Sequence, residues 1–86
     1  MSSVQLAGVT LESRPNGSAV RGYMEWRKDG GYAAYIADIT PDGMASARDV
    51  VTTHDVGSAL RALADLVEAY QDEQLASHAS KAHTKR

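Results

Sequence analysis

The pattern of hydrophobic and polar residues changes its period once along this chain, near residue 55. Before that point, short stretches alternate with a period close to two and are separated by turns rich in Gly and Pro, which predicts β-strands. After it, apolar residues recur at steps of three and four, which predicts an amphipathic α-helix. The expected fold is therefore α+β, a four-stranded antiparallel β-meander with one C-terminal α-helix packed on one face.

The centre of the predicted sheet is a hairpin over residues 19–39. It holds all of the Trp and Tyr residues of the chain except Tyr70. Asp29-Gly30-Gly31 joins its two strands, and Asp-Gly is a strong hairpin signal because the favoured tight turns need residues that accept positive φ. Side-chain parity assigns one set of residues beneath the helix, namely Val20, Met24, Trp26, Tyr35 and Ile39. It assigns a second set to the opposite face, namely Arg21, Tyr23, Arg27, Tyr32 and Ile36.

This second set is the predicted partner-binding surface. Arg21, Tyr23 and Arg27 form a basic and aromatic row, interrupted by Glu25, of a kind that can stack a base or hold an acidic partner. The third strand, 32–39, is apolar on both parities, which is typical of a central strand or of a strand whose second face meets another subunit. Because one helix covers only one face of a sheet, we expect a protein contact through the other face, most simply a homodimer.

The first and fourth strands are less regular. In the first, 4–12, the apolar residues change parity at Gly8, and a β-bulge there would return them to one face. Turns follow at 14–18 and at 40–43, where Pro, Asn-Gly and Asp-Gly supply favoured turn residues. The fourth strand, 44–53, is predicted chiefly from its β-branched C-terminal half.

The helix is predicted from Val56 to about Gln74 or further, with Thr53 or Asp55 as its N-cap. Its apolar stripe consists of Val56, Leu60, Leu63, Val67 and Tyr70. The stripe is widened by Ala59, Ala62, Leu66 and Ala69. The small alanines would let the helix approach the sheet closely, and they would equally let a second helix approach, which gives an alternative dimer contact. The solvent side carries a weaker predicted contact for a basic partner, formed by Asp65, Glu68 and Asp72.

Composition restricts the functional classes. The 86 residues fit one domain, predicted over 1–76, with 77–86 as a basic C-terminal tail or helix extension. There is no Cys, which excludes disulfides, zinc-thiolate sites and a cysteine nucleophile. Residues 1–76 contain all 11 acidic and six of the nine basic residues, a net charge of -5, and such a body disfavours general nucleic-acid binding. The remaining basic residues give the tail a charge of +3 and form a second weaker predicted contact, for RNA, DNA or an acidic protein; they are Lys81, Lys85 and Arg86.

The residues suited to chemistry form no recognisable site in the sequence. His54, His78 and His83 match no metal-ligand spacing, and the short Gly turns lack the Lys-Ser/Thr of a phosphate loop. No catalytic, cofactor-binding or metal-binding residue is assigned, and we expect a protein that is not an enzyme. No apolar run reaches the roughly 18 to 20 residues of a membrane span, and the N-terminus lacks the features of a signal peptide, so we expect a soluble, cytoplasmic protein.

Three kinds of function remain open at this point. The favoured interpretation is a small non-enzymatic protein-protein interaction or regulatory module that self-associates through the sheet face not covered by the helix. The first alternative is a small nucleic-acid-binding protein that uses the sheet face and the basic tail. The second is a structural subunit of a larger assembly. Neither a membrane contact nor a small-molecule substrate is expected.

A further alternative comes from a resemblance. Residues 29–39, DGGYAAYIADI, followed by residues 57–70, GSALRALADLVEAY, resemble the antitoxins of the HicA-HicB class, which pair a Gly-Gly-Tyr strand with an Ala-Leu-rich helix. Together the two similar stretches comprise 25 residues. The resemblance implies a HicB-like antitoxin that neutralises a partner toxin without catalysis.

Overall fold

The computed structural model describes residues 3–28 and 30–84, with side chains up to residue 76. The elements are β1 (Ser3–Ser13), β2 (Ala19–Arg27), β3 (Gly31–Ile39), β4 (Ala45–Thr53) and α1 (Val56–Thr84). The strands form one antiparallel sheet in the order β1-β2-β3-β4, and α1 packs mainly on β2, β3 and β4. The predicted α+β fold is confirmed. We call the side of the sheet under α1 the helix side and the other the open side.

Local hydrogen bonds close the two outer turns. In the turn between β1 and β2, Asn16 Oδ1 accepts a hydrogen bond from the Ser18 N–H at 2.9 Å. In the turn between β3 and β4, the Thr40 N–H donates to the Met44 carbonyl oxygen at 2.9 Å. Both turns lie where the Pro, Asn and Gly residues predicted them, because these signals act within a few residues of the chain.

The register of the central hairpin decides which side chains face the helix. Arg27 pairs with Gly31, so three residues lie between the paired ends, and Tyr23 pairs with Tyr35. Directly paired residues point to the same side of a sheet, so positions of equal parity in β2 and β3 share a side. Glycine is required at position 31, because its φ is +84° and a Cβ would lie 2.6 Å from the Thr53 carbonyl oxygen.

The prediction of the two sides of β3 is therefore wrong. Tyr32 and Ile36, predicted on the open side, lie on the helix side, where Ile36 is 2% exposed and packs against Tyr70. Tyr35 and Ile39, predicted beneath the helix, lie on the open side. The predicted sides require an even number of residues in the hairpin loop. The three-residue loop shifts the register by one, which exchanges the two sides of the strand.

Strand β1 bends at two bulges, and neither is at Gly8 as predicted. Its register with β2 shifts between residues 5 and 7 and again between residues 10 and 12, whereas Gly8 is regularly paired with Tyr23. Each bulge adds one residue and so changes the parity that faces the helix. The helix side of β1 carries Val4, Ala7, Val9 and Leu11.

Helix α1 contacts the sheet through a stripe that is rotated from the predicted one. Among its side chains up to residue 76, the buried ones are Ala59, Leu63 and Tyr70. Ala59 has no exposed surface and packs in one cluster with Ala34 of β3. This close approach of two small residues sets the rotation of the helix, so Val56 and Leu60 of the predicted stripe remain 44% and 49% exposed.

Asp55 caps the start of α1, as one of the two predicted alternatives. Its Oδ2 accepts a hydrogen bond from the Ser58 N–H at 3.0 Å, and its Oδ1 accepts one from the Ser58 hydroxyl at 2.9 Å. These bonds lower the pKa of the Asp55 carboxyl.

In the described part of the chain, no helix has the length and apolar character that crossing a membrane needs.

Candidate binding surface on the open side

A pair of tyrosines lies at the centre of the open side. Tyr23 of β2 and Tyr35 of β3 are directly paired, and their ring centroids are 5.6 Å apart with an interplanar angle of 40°. Gly8 of β1 pairs with Tyr23 on the other edge, and a Cβ at Gly8 would lie 3.3 Å from the Tyr23 ring. Gly8 therefore leaves room for the Tyr23 ring on the side of β1, beside the aromatic pair that β2 and β3 form.

An ion pair flanks the tyrosines in one direction along β2. The Nε and Nη2 groups of Arg27 both donate to Glu25 Oε1, at 3.1 and 3.0 Å, and the Glu25 side chain is only 14% exposed. Burial raises the pKa of Tyr35, and the nearby Glu25 and Tyr23 raise it further. Tyr35 is consequently a neutral phenol at physiological pH and is able to donate a hydrogen bond.

Arg21 flanks the tyrosines in the other direction. Its guanidinium carbon lies 5.4 Å from the centroid of the Tyr23 ring, within the range of cation-π attraction. Its Nε is buried and has no hydrogen-bond partner among residues 3–28 and 30–84. The arginines that do form ion pairs are Arg14 with Glu12, Arg27 with Glu25, and Arg48 with Asp38. A buried donor without an acceptor costs roughly 1–3 kcal/mol, and because the chain itself encloses this atom, a partner would meet Arg21 at its terminal Nη groups instead.

The centre of the open side is filled by its own side chains. Ala33 and Ala37 of β3 pair with Glu25 and Arg21 and so point to this side, yet both are fully buried. The space above these two alanines is therefore filled, and no hollow opens at the centre of this side. A flat surface with aromatic and charged groups is suited to another protein surface more than to a small ligand.

Three of the five sheet residues predicted to bind a partner meet on this surface. Arg21, Tyr23 and Arg27 lie together around the tyrosine pair and the ion pair. Tyr32 and Ile36 do not, because both pack beneath α1 in the core.

The sequence pattern did not predict three further residues of this surface. The sequence pattern places Tyr35 beneath the helix, predicts Glu25 only as an interruption of the basic row, and predicts Gly8 only as a bulge. One signal for the register was available, because the pair Gly30-Gly31 is compatible with a three-residue loop that is followed by a positive-φ glycine. That loop gives the observed sides.

The weaker contacts predicted on the helix and tail are not part of this surface. Asp65, Glu68 and Asp72 are exposed on α1, which packs on the other side of the sheet. The Lys81 side chain lies outside the described residues, as do Lys85 and Arg86 altogether.

A second polar cluster ties α1 to β1 on the helix side. The Tyr70 hydroxyl donates to the Glu12 carboxylate, which also accepts a hydrogen bond from Arg14 Nε at 2.8 Å. The bond from Tyr70, followed by that from Arg14, lowers the pKa of Glu12. Burial and the bond to Glu12 raise the pKa of Tyr70 to about 12. These bonds are internal to the chain, so the cluster holds the helix against the sheet.

Within the described residues, no group of three or more His, Asp or Glu side chains is placed to hold a metal ion.

No protein-family model matches the chain, and searches of curated proteins and of solved structures find no match. The functional interpretation therefore rests on the geometry of the open side.

Proposed function

We propose that this protein is a small non-enzymatic interaction or regulatory module that self-associates through the open side of its sheet. The observation that carries the proposal is the composition of that side, where Tyr23 and Tyr35 are flanked by Arg21 and by the Glu25–Arg27 pair. Tyr and Arg are enriched in protein interfaces and in the few residues that supply most of the binding energy. Helix α1 packs on the other side and leaves this one available.

The surface is largely ordered before a partner binds. The Tyr23 ring is held between Tyr35 and Gly8, and Glu25 is held by two hydrogen bonds from Arg27. Side chains that are already fixed lose little conformational entropy on association. Association through these side chains therefore has a smaller entropy cost than association through mobile side chains would have.

The size of the open side predicts a weak dimer. Strands β2, β3 and β4 have nine residues each. At about 3.3 Å per residue and about 4.8 Å between strands, the sheet spans roughly 30 by 19 Å, or about 570 Å² of plane area. A standard interface buries about 800 Å² of accessible surface per partner. Protruding side chains give the open side a larger accessible area than its plane area, which brings it closer to the area of a standard interface. We therefore expect a dimer that dissociates on dilution in the micromolar range.

Sedimentation velocity over a concentration series tests the proposal. We expect the wild-type sedimentation coefficient to rise with concentration. Tyr35→Glu should remain monomeric, because it places a charge at the centre of the contact. The matched control is Leu60→Glu, which adds the same charge at a half-exposed position of α1 and should dimerise like the wild type. Circular dichroism and thermal melts establish that both variants fold.

Two results would contradict the proposal. A wild-type protein that stays monomeric at the highest concentration reached removes self-association. A monomeric Leu60→Glu together with a dimeric Tyr35→Glu moves the contact to the flank of α1, the alternative that the small helix residues suggest.

Binding of nucleic acid is a second candidate function. The observation in its favour is Arg21 beside the Tyr23–Tyr35 pair, since aromatic and Arg side chains stack on bases. Glu25 in the same cluster and the net charge of -5 on residues 1–76 oppose contact with phosphate. We expect no mobility shift with single-stranded or duplex probes at low salt. A shift that is lost in Tyr23→Ala would favour this function instead.

A further inference from the structure

We propose that the second copy docks with a two-fold axis crossing the strands at the Tyr23–Tyr35 pair, so that Arg21 of each copy pairs with Glu25 of the other. This inference rests on the proposed self-association and adds its symmetry, its register and its ionic contact. It starts from β2, where Arg21, Tyr23 and Glu25 occupy successive positions on the open side.

The spacing of these three residues is self-complementary. Residues two apart in a strand are separated by about 6.6 Å, so Arg21 and Glu25 lie at nearly equal distances on either side of Tyr23. Rotation by 180° about an in-plane axis through Tyr23 and across the strands reverses the strand direction. It lays Arg21 of one copy over Glu25 of the other, and two-fold symmetry generates the same pair a second time.

The other two-fold arrangement of the faces is unfavourable. An axis along the strands keeps every residue at its own level, so the Arg21 level meets itself, with Arg21 and Ala37 on both copies. The Glu25 level likewise meets Glu25 and Ala33. Like charges would then approach each other or remain without partners, whereas the axis across the strands matches opposite charges at both ends of the contact.

Both charged groups have bonding capacity left for a partner. Arg21 is half-buried, and its guanidinium forms no ion pair with a described residue. Both bonds from Arg27 go to Glu25 Oε1, which leaves Oε2 for a further donor. Sheets that pack face to face are about 10 Å apart, a gap that an Arg and a Glu side chain span together. The proposed pair therefore gives the Arg21 guanidinium a carboxylate partner, which no described residue supplies in the single chain.

Charge exchange in the full chain tests the register. Arg21→Glu and Glu25→Arg should each weaken self-association about tenfold or more, because two attractive pairs become two repulsive ones. The double variant Arg21→Glu/Glu25→Arg has the net charge of the wild type, and its dissociation constant should return to within about threefold of the wild-type value. An equimolar mixture of the two single variants should form a heterodimer. All four measurements use sedimentation velocity.

Two controls isolate the ionic contact. Glu25→Arg also removes the ion-pair partner of Arg27. The variant Arg27→Gln removes that ion pair alone, and it should weaken self-association less than Glu25→Arg does. If Glu25→Arg does not fold by circular dichroism, a cycle of Arg21→Gln, Glu25→Gln and their combination replaces it. The combination should then weaken the dimer no more than the stronger single variant does, whereas additive losses would overturn the inference.

The outcomes separate this inference from the proposed function. A wild-type dimer that Tyr35→Glu abolishes, together with a double exchange variant as weak as the single variants, overturns the register and leaves association through the open side standing. A wild-type protein that is monomeric throughout overturns both. Recovery in the double variant supports both.

Discussion

Removal of the Ile36 side chain tests which side of β3 forms the core. Ile36 is one of the two largest fully buried side chains, and it packs with Val20 and Tyr70 between the sheet and α1. Ile→Ala substitutions in cores cost about 2–5 kcal/mol, more where the surroundings cannot collapse. Strand β3 is paired on both edges, so we expect Ile36→Ala to lower the free energy of unfolding by about 3–4 kcal/mol. This is a large part of the roughly 4–13 kcal/mol expected for a chain of this length.

Ile39→Ala is the matched control, because the same residue type is truncated on the same strand but on the open side. It should cost less than about 1 kcal/mol. Urea unfolding followed by the fluorescence of Trp26, the single Trp, gives both values, and a low protein concentration keeps self-association from contributing. At about 4–8 °C per kcal/mol, Ile36→Ala should also lower Tm by at least about 12 °C. Equal losses in the two variants, or a larger loss in Ile39→Ala, would refute the assigned sides of β3.

Gly31→Ala should destabilise the protein by more than about 1 kcal/mol, since L residues disfavour positive φ by about that amount and the new Cβ would lie 2.6 Å from the Thr53 carbonyl oxygen. Gly30→Ala, whose Cβ would meet open space, is the control, and equal losses in urea unfolding would contradict this account. The lowered pKa of Glu12 means that its stabilisation is present above the ordinary value of 4.5 and is lost as pH falls through the folded-state pKa. The stability advantage of wild type over Glu12→Gln should therefore shrink in acid, and a constant difference would count against the Tyr70 contact. At alkaline pH only the unfolded chain loses the Tyr70 proton between 10.0 and about 12, so wild-type stability should fall there, and Tyr70→Phe should show a smaller fall.

The order of the elements was predictable because its signals are local. Pro, Asn and Gly at 14–18 and 40–43 specify turns within a few residues, and the change of period near residue 55 needs only one helical turn to be visible. The sides of β3 were not predictable in the same way. Both of its parities are apolar, so the pattern is compatible with either side, and the choice depends on one residue of loop length.

The rotation of α1 and the composition of the open side depend on contacts that sequence patterns do not weigh. A helix stripe predicted from hydrophobicity gives the large Leu60 more weight than the small Ala59. In the structure, Ala59 packs in one cluster with Ala34, because small residues let the helix lie close to the sheet. Arg21 and Tyr23 were predictable as neighbours because they share parity in one strand. That no described carboxylate forms an ion pair with Arg21 is visible only when the positions of the carboxylates are known.

The two edges of the sheet also bear on how a partner approaches. β1 and β4 are the edge strands, and β1 is bulged twice. The register of β4 shifts opposite Tyr35, where Asp49 has a φ of +56°. Bulges and a left-handed residue interrupt the row of backbone donors and acceptors that an added strand would need, so both edges disfavour sheet extension. A partner that approaches face-on meets α1 on one side and the Tyr23–Tyr35 pair on the other. The irregular edges thus support association through the open side over growth of the sheet.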